Sequence, residues 1–115
     1  MHLDPDAFDL LVGEALDRIP VQLAALMDNV VVLVEDEPPA DDPELLGLYV
    51  GTPLTERGSE YTFQPPDQVF VYRGPLQRMC ADAEELAEEV EITVVHEIAH
   101  HFGIDDAQLH AWGWG

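Results

Sequence analysis

Positive charge is almost absent from this chain. Its 115 residues include four arginines and no lysine against 24 aspartates and glutamates, so the formal net charge is −20 at pH 7. A surface this acidic repels phosphate backbones and anionic lipid headgroups. We therefore expect no nucleic acid and no membrane among the partners of the protein.

Cysteine and long hydrophobic runs are also scarce. The single cysteine, Cys80, excludes an intrachain disulfide, and no spacing to a partner residue indicates a catalytic thiol. No apolar run approaches the roughly 20 residues of a membrane span. The N-terminus has no positive region followed by an apolar one, as a secretory signal would. These absences favour a cytoplasmic protein.

The composition that remains is that of a globular domain. Hydrophobic residues make up 47% of the chain, and a chain of this length folds around one modest core. We therefore expect a single domain over residues 1–115. The order of predicted elements is typical of an α+β domain. The apolar spacing predicts helices at 5–19, 21–27 and 82–102, and strands at 29–34, 46–50 and 68–72.

Two of these segments carry further expectations. The first strand contains a continuous β-branched run, which is typical of a strand covered on both faces. Residues 35–44 follow with three prolines and six acids, a composition that predicts a solvated, exposed loop.

The last predicted helix carries side chains suited to a metal. His96 and His100 are four residues apart, so they lie about 40° apart on one helix face, with Cβ atoms about 5–6 Å from each other. Two imidazoles at this separation can both reach a zinc ion. Glu97 lies at the edge of the same face, near such an ion without having to ligate it. Apolar residues flank this face, which predicts a setting inside the domain where a cation would offset the carboxylate.

The residues after His100 supply a third candidate ligand. Gly103 lies where a helix commonly ends in the left-handed conformation, which would turn the chain back toward the histidines. Asp106 would then complete a site of two imidazoles and one carboxylate, with a fourth position left for water. Asp105 competes with Asp106 for this role; otherwise it would cap a helix or support a histidine.

From residue 96 the segment HEIAHHFGIDD resembles the extended zinc motif of the zincin metallopeptidases, in the variant with Asp as third ligand. With the segments GLYVGTPLTERG and QVFVYRGPLQR, it makes most of the chain, roughly 8–109, similar to the small bacterial zincin-like metallopeptidases. The resemblance implies a minimal zincin-like domain, in which a small mixed sheet packs against an active-site helix and N-terminal helices. It also implies a zinc metallopeptidase with one Zn²⁺ per chain, bound by His96, His100 and Asp106, and with Glu97 as catalytic base.

The resemblance bears on the substrate and the pocket as well. An edge strand beside the metal helix would pair with an extended peptide, and residues 68–72 are the best candidate because they come just before that helix. The larger metzincins have a methionine turn below the metal, but no methionine follows the motif here. The floor of the pocket must therefore come from elsewhere. The candidate donors to an oxyanion are Tyr49, Tyr61, Tyr72, Arg73 and His110.

Three functions are open on the sequence alone. The first is zinc-dependent hydrolysis of a peptide or protein substrate, for which the net charge favours a basic one. The second is a zinc-binding module that keeps the ligands without turnover, and the third is an acidic interaction protein with a basic partner. His101 is predicted to be a surface or packing histidine. Trp112 and Trp114 are predicted to pack on the domain rather than to bind a partner, and His110 to be an ordinary helix residue unless it is the donor.

Overall fold

The computed structural model describes residues 2–51 and 65–114. Their arrangement confirms the predicted α+β class. In chain order the elements are α1 (Pro5–Leu16), α2 (Val21–Ala24) continued by a 3-10 turn (Ala25–Met27), β1 (Val30–Glu35), β2 (Gly47–Val50), β3 (Asp67–Tyr72), α3 (Arg73–Met79), α4 (Ala83–His101) and α5 (Asp106–Ala111).

The three strands form one mixed sheet in the order β1-β3-β2. β1 runs parallel to β3 and β2 antiparallel to it, so that Val69 of β3 lies between Val32 and Tyr49. The small mixed sheet is as predicted. The prediction that residues 68–72 form an edge strand is wrong, because β3 is hydrogen-bonded to a neighbour on each side.

β1 is covered on one face only. Val31 and Leu33 are each 37% exposed, and their neighbours in the strand are half-buried. On the adjacent β3, Val69 and Val71 are fully buried. The prediction that the β-branched strand is covered on both faces is therefore wrong. β1 is an edge strand of the described sheet, and the described helices do not cover the face that carries Val31 and Leu33.

α1 and α4 pack together to form the core above the sheet. Asp4 caps α1, since its carboxylate accepts a hydrogen bond of 2.8 Å from the backbone N–H of Ala7. Full burial of a large apolar side chain contributes about 1.5–3 kcal/mol, so α4 is held firmly along its length. The buried residues include Phe8, Leu11, Val12 and Ala15 of α1, and Leu86, Val90, Val94 and Ile98 of α4.

α3 follows β3 directly and was not predicted from the sequence. A Gly-Pro pair at 74–75 is typical of a turn, but here it lies in the first helical turn, where the missing N–H of proline leaves no bond unmade. α3 also holds the acidic loop, which is exposed as predicted. Arg78 donates two hydrogen bonds of 3.0 Å to Glu37 and lowers the pKa of that carboxyl.

Each helix in the described ranges is too short or too polar to cross a lipid bilayer.

Candidate metal centre

His96, Glu97 and His100 lie near the C-terminal end of α4, on its open side. Val95 and Ile98 beside them are fully buried, whereas the two histidines are exposed and Glu97 is half-buried. The prediction that these side chains lie inside the domain is wrong for the two histidines, because they lie on a different face of α4 from the residues that pack into the core. The site is therefore accessible to solvent, and the burial of Glu97 does not by itself demand a cation.

The end of α4 turns the chain back as predicted. Gly103 has a φ of 70°, its N–H bonds to the carbonyl of His100 at 3.3 Å, and the N–H of Ile104 bonds to the carbonyl of Ala99 at 2.8 Å. These two bonds form the Schellman arrangement, which closes a helix through a left-handed residue. α5 begins three residues later.

The Gly103 turn can be tested by its conformational cost. In Gly103→Ala the new Cβ would meet no atom within 4 Å, so only the left-handed backbone is penalised, by about 1 kcal/mol of unfolding free energy. Gly13→Ala, in open space inside α1, should instead stabilise by about 0.5–1 kcal/mol. Urea unfolding of both variants in the metal-free state measures the two shifts. Shifts of the same sign would contradict the assigned conformation of Gly103.

The two adjacent aspartates at the start of α5 have different roles. Asp105 caps the helix, since its carboxylate accepts a hydrogen bond of 2.8 Å from the backbone N–H of Gln108. Asp106, the next residue, lines a cavity of about 240 Å³ together with His96, Glu97 and His100. The structure thus brings the four predicted site residues to one cavity, whereas the Asp105 carboxylate is engaged as the cap of α5.

β2 forms one side of this site. A Cβ on Gly47 would lie 2.5 Å from Cγ2 of Thr93 and 3.6 Å from Cγ of Glu97, so the absence of a side chain lets the strand approach α4 beside Glu97. Two residues along β2, Tyr49 stacks on His101 with ring centroids 3.8 Å apart. Tyr49 and Glu97 line a further cavity of about 220 Å³ with both histidines of the His100–His101 pair.

α5 and the residues after it form the opposite side. Together with α4 they line a cavity of about 580 Å³ whose residues are Ile92, His96, Asp106, Ala107, Leu109, His110 and Trp114. Most of these residues are apolar, but His96 and Asp106 also line the cavity of about 240 Å³ that they share with Glu97 and His100, which we call the central cavity. The site is therefore an open groove. Its predicted ligands lie in the middle, with Tyr49 of β2 on one side and Trp114 on the other.

The two tryptophans pack on the domain as predicted: Trp112 and Trp114 are half-buried against the core. His101 is an exposed histidine whose ring contacts those of Tyr49 and Phe102. Cys80 is 3% exposed, and burial raises the pKa of its thiol, which agrees with the prediction that it is not a nucleophile.

The side chains that line the central cavity include the types that bind zinc. His96, His100 and Asp106 line it, and two imidazoles with one carboxylate are a ligand set of catalytic zinc sites. Among residues 2–51 and 65–114, no three His, Cys, Asp or Glu side chains are grouped closely enough to hold an ion. The predicted ligands thus share a cavity without converging on one point in it.

The family model of the zincin-like metallopeptidases matches residues 27–114. The chain belongs to the zincin-like metallopeptidase family. The matched region runs from the turn before β1 to the residue after Gly113, so it contains the whole sheet, α4 and α5. The family indicated by the zinc motif is confirmed, and at the level of the family the function is of the metallopeptidase type.

A solved structure has a similar fold. A conserved hypothetical protein from Thermus thermophilus superposes with a TM-score of 0.55 and 22% sequence identity, over 85% of this chain and 92% of that one. At this identity the likeness shows the fold alone. No curated protein matches the chain.

The structure narrows the candidate oxyanion donors of this zincin-like site. Tyr72 is 5% exposed within the sheet, and burial raises the pKa of its phenol. Arg73 is paired with the acidic loop, and Tyr61 lies outside the described residues. Tyr49 and His110 each line a cavity with predicted site residues, but the Tyr49 hydroxyl donates a hydrogen bond of 2.8 Å to the Asp67 carboxylate. No pattern in the sequence indicated the contact of Trp114 with this site, apart from the glycine that precedes it.

Proposed function

We propose that the protein is a zinc-dependent peptidase in which His96, His100 and Asp106 hold one zinc ion and Glu97 is the general base. The observation that carries the proposal is that all four side chains line a single cavity of about 240 Å³ at the end of α4. The membership of the zincin-like metallopeptidase family supports the same chemistry.

When bound, zinc would act as a Lewis acid and lower the pKa of a water molecule to about 7. Glu97 is suited to take the proton of the attacking water, because its carboxylate lines the cavity of the proposed ligands. The same carboxylate would then pass the proton to the leaving amine. Its half-buried position beside Gly47 limits its freedom, so it can serve both steps from one place.

We propose β2 as the strand that guides the substrate. It is an edge of the described sheet and approaches α4 beside Glu97, whereas β3 is enclosed by its neighbours. A peptide added along β2 would be held by main-chain hydrogen bonds. The cavity that Tyr49 shares with Glu97 and His100 would then lie next to the scissile bond.

The experiment that tests this function combines metal analysis with a turnover assay. The purified protein is expected to contain zinc, and to cleave unstructured peptides in a reaction that a chelator stops. The predicted ligands line one cavity but do not converge in it, so a module that collects zinc without the geometry for turnover is the second candidate. Zinc without cleavage of a broad peptide library would favour that second candidate. Absence of zinc would instead favour the acidic interaction protein.

Substrate charge gives a separate prediction. The net charge of −20 should attract basic peptides and repel acidic ones, so matched basic peptides should be cleaved faster at low ionic strength. The difference should shrink as the Debye length falls from about 10 Å at 0.1 M salt to about 3 Å at 1 M. Steady-state rates for basic, neutral and acidic versions of one peptide measure this, with the neutral peptide as control. Equal rates at low salt would contradict it.

A further inference from the structure

Trp114 lies against one of the proposed zinc ligands. The ring centroids of Trp114 and His96 are 5.5 Å apart and their planes are inclined by 75°, the edge-to-face arrangement that aromatic rings favour. Trp114 also lines the cavity of about 580 Å³ that contains His96 and Asp106. This indole therefore forms part of the wall of the site on the α5 side.

The position of Trp114 is fixed by the end of α5. Leu109 anchors that helix in the core with 1% exposure. The N–H of Trp114 bonds to the carbonyl of Leu109 at 3.0 Å, and the N–H of Gly113 to the carbonyl of His110 at 2.9 Å. With a φ of 87° at Gly113, this is a second Schellman turn. The indole is therefore directed by helix geometry and core packing.

The His96 ring needs such a contact. It is exposed on α4, and among the described residues no hydrogen bond or ion pair holds it. A histidine that ligates a metal is normally oriented by a hydrogen bond from its other ring N–H to a carboxylate, a carbonyl or water. In this structure the His96 ring is instead in edge-to-face contact with the indole of Trp114.

We propose that Trp114 is a positioning residue, whose indole holds the imidazole of His96 in the orientation that metal binding requires. The part of the inference that concerns zinc rests on the proposed function. The part that concerns the orientation of the His96 ring does not, because it can be measured in the metal-free protein.

Trp112 offers a matched control for the zinc measurement. It lies two residues away, is half-buried and packs on the same core. Trp114→Leu should raise the zinc dissociation constant by about 3- to 10-fold, the range that an edge-to-face ring contact supports, as measured by competition with a chromogenic chelator. Trp112→Leu should leave it within about twofold of wild type, because no contact with a proposed ligand is lost. Trp114→Phe keeps an aromatic ring and should recover most of the affinity.

A purely structural role would give a different pattern. In that case both leucine variants would lower the melting temperature of the metal-free protein, and both would bind zinc with equal affinity once folded. Equal affinities, or a Trp114→Phe variant as weak as Trp114→Leu, would overturn the proposal.

The metal-free protein supplies the measurement that does not depend on zinc. The ring current of the indole should displace the NMR resonances of the His96 ring protons, and Trp114→Leu should abolish that displacement while Trp112→Leu retains it. If wild type binds no zinc, the proposed function fails, and this measurement still decides whether the Trp114 indole contacts the His96 ring. Identical His96 resonances in wild type and Trp114→Leu would overturn the inference even if zinc binds.

Discussion

Glu97→Gln is expected to bind zinc like wild type and to lose at least about 100-fold in kcat, the lower bound for removal of a general base. The amide keeps the size of the side chain, so the half-buried position beside Gly47 stays filled. It cannot accept the proton of the attacking water, and it carries no charge to balance the transfer to the leaving amine. Zinc content and steady-state turnover on the same preparation measure the two effects.

Glu91→Gln is the matched control, because Glu91 is a half-buried glutamate on the same helix. It removes the same charge from α4 without touching the residues that line the central cavity. We expect turnover close to wild type. Turnover of Glu97→Gln within a few-fold of this control would show that another group is the base. Loss of zinc in Glu97→Gln would make Glu97 a ligand.

The parts of the fold that follow from local rules were predictable. The spacing of apolar residues indicated α4 at 82–102, and the helix occupies Ala83–His101 with Asp82 as its cap. The left-handed turn at Gly103 followed from the cost of that conformation to other residues. Among the turn signals, the Gly-Pro pair at 74–75 was misleading, since proline is typical both of turns and of the first turn of a helix.

The parts that depend on pairing between distant segments were not predictable in the same way. A strand pattern does not say which neighbours it has, so the position of β3 in the centre of the sheet is visible only in the structure. The same holds for the exposure of His96 and His100, because an apolar flank shows that a helix is covered but not from how many sides. The contact of Trp114 with His96 depends on two successive turns, one at Gly103 after α4 and one at Gly113 after α5. Local patterns do not predict how two such turns combine.

His100→Ala is expected to abolish zinc binding and, with it, the stabilisation that zinc gives to the native state. At a free zinc concentration about 1,000 times the dissociation constant, a ligand that binds only the native state contributes about 4 kcal/mol. For a chain of this size that corresponds to a melting temperature lower by roughly 10–20 °C. Because His100 is exposed, the metal-free variant should melt close to metal-free wild type.

His101→Ala makes the assignment specific, since the neighbouring histidine should give the reverse pattern. Its imidazole stacks on Tyr49 at 3.8 Å and its Nε2 lies 4.0 Å from the Asp67 carboxylate, so its loss should lower the melting temperature with and without zinc. The central cavity keeps its three proposed ligands, so zinc content should be retained. Calorimetry with zinc and with chelator, alongside metal analysis, separates the two variants. Equal zinc content in wild type and His100→Ala would contradict the ligand assignment, because a two-ligand site lacks the three protein ligands that zinc sites normally require.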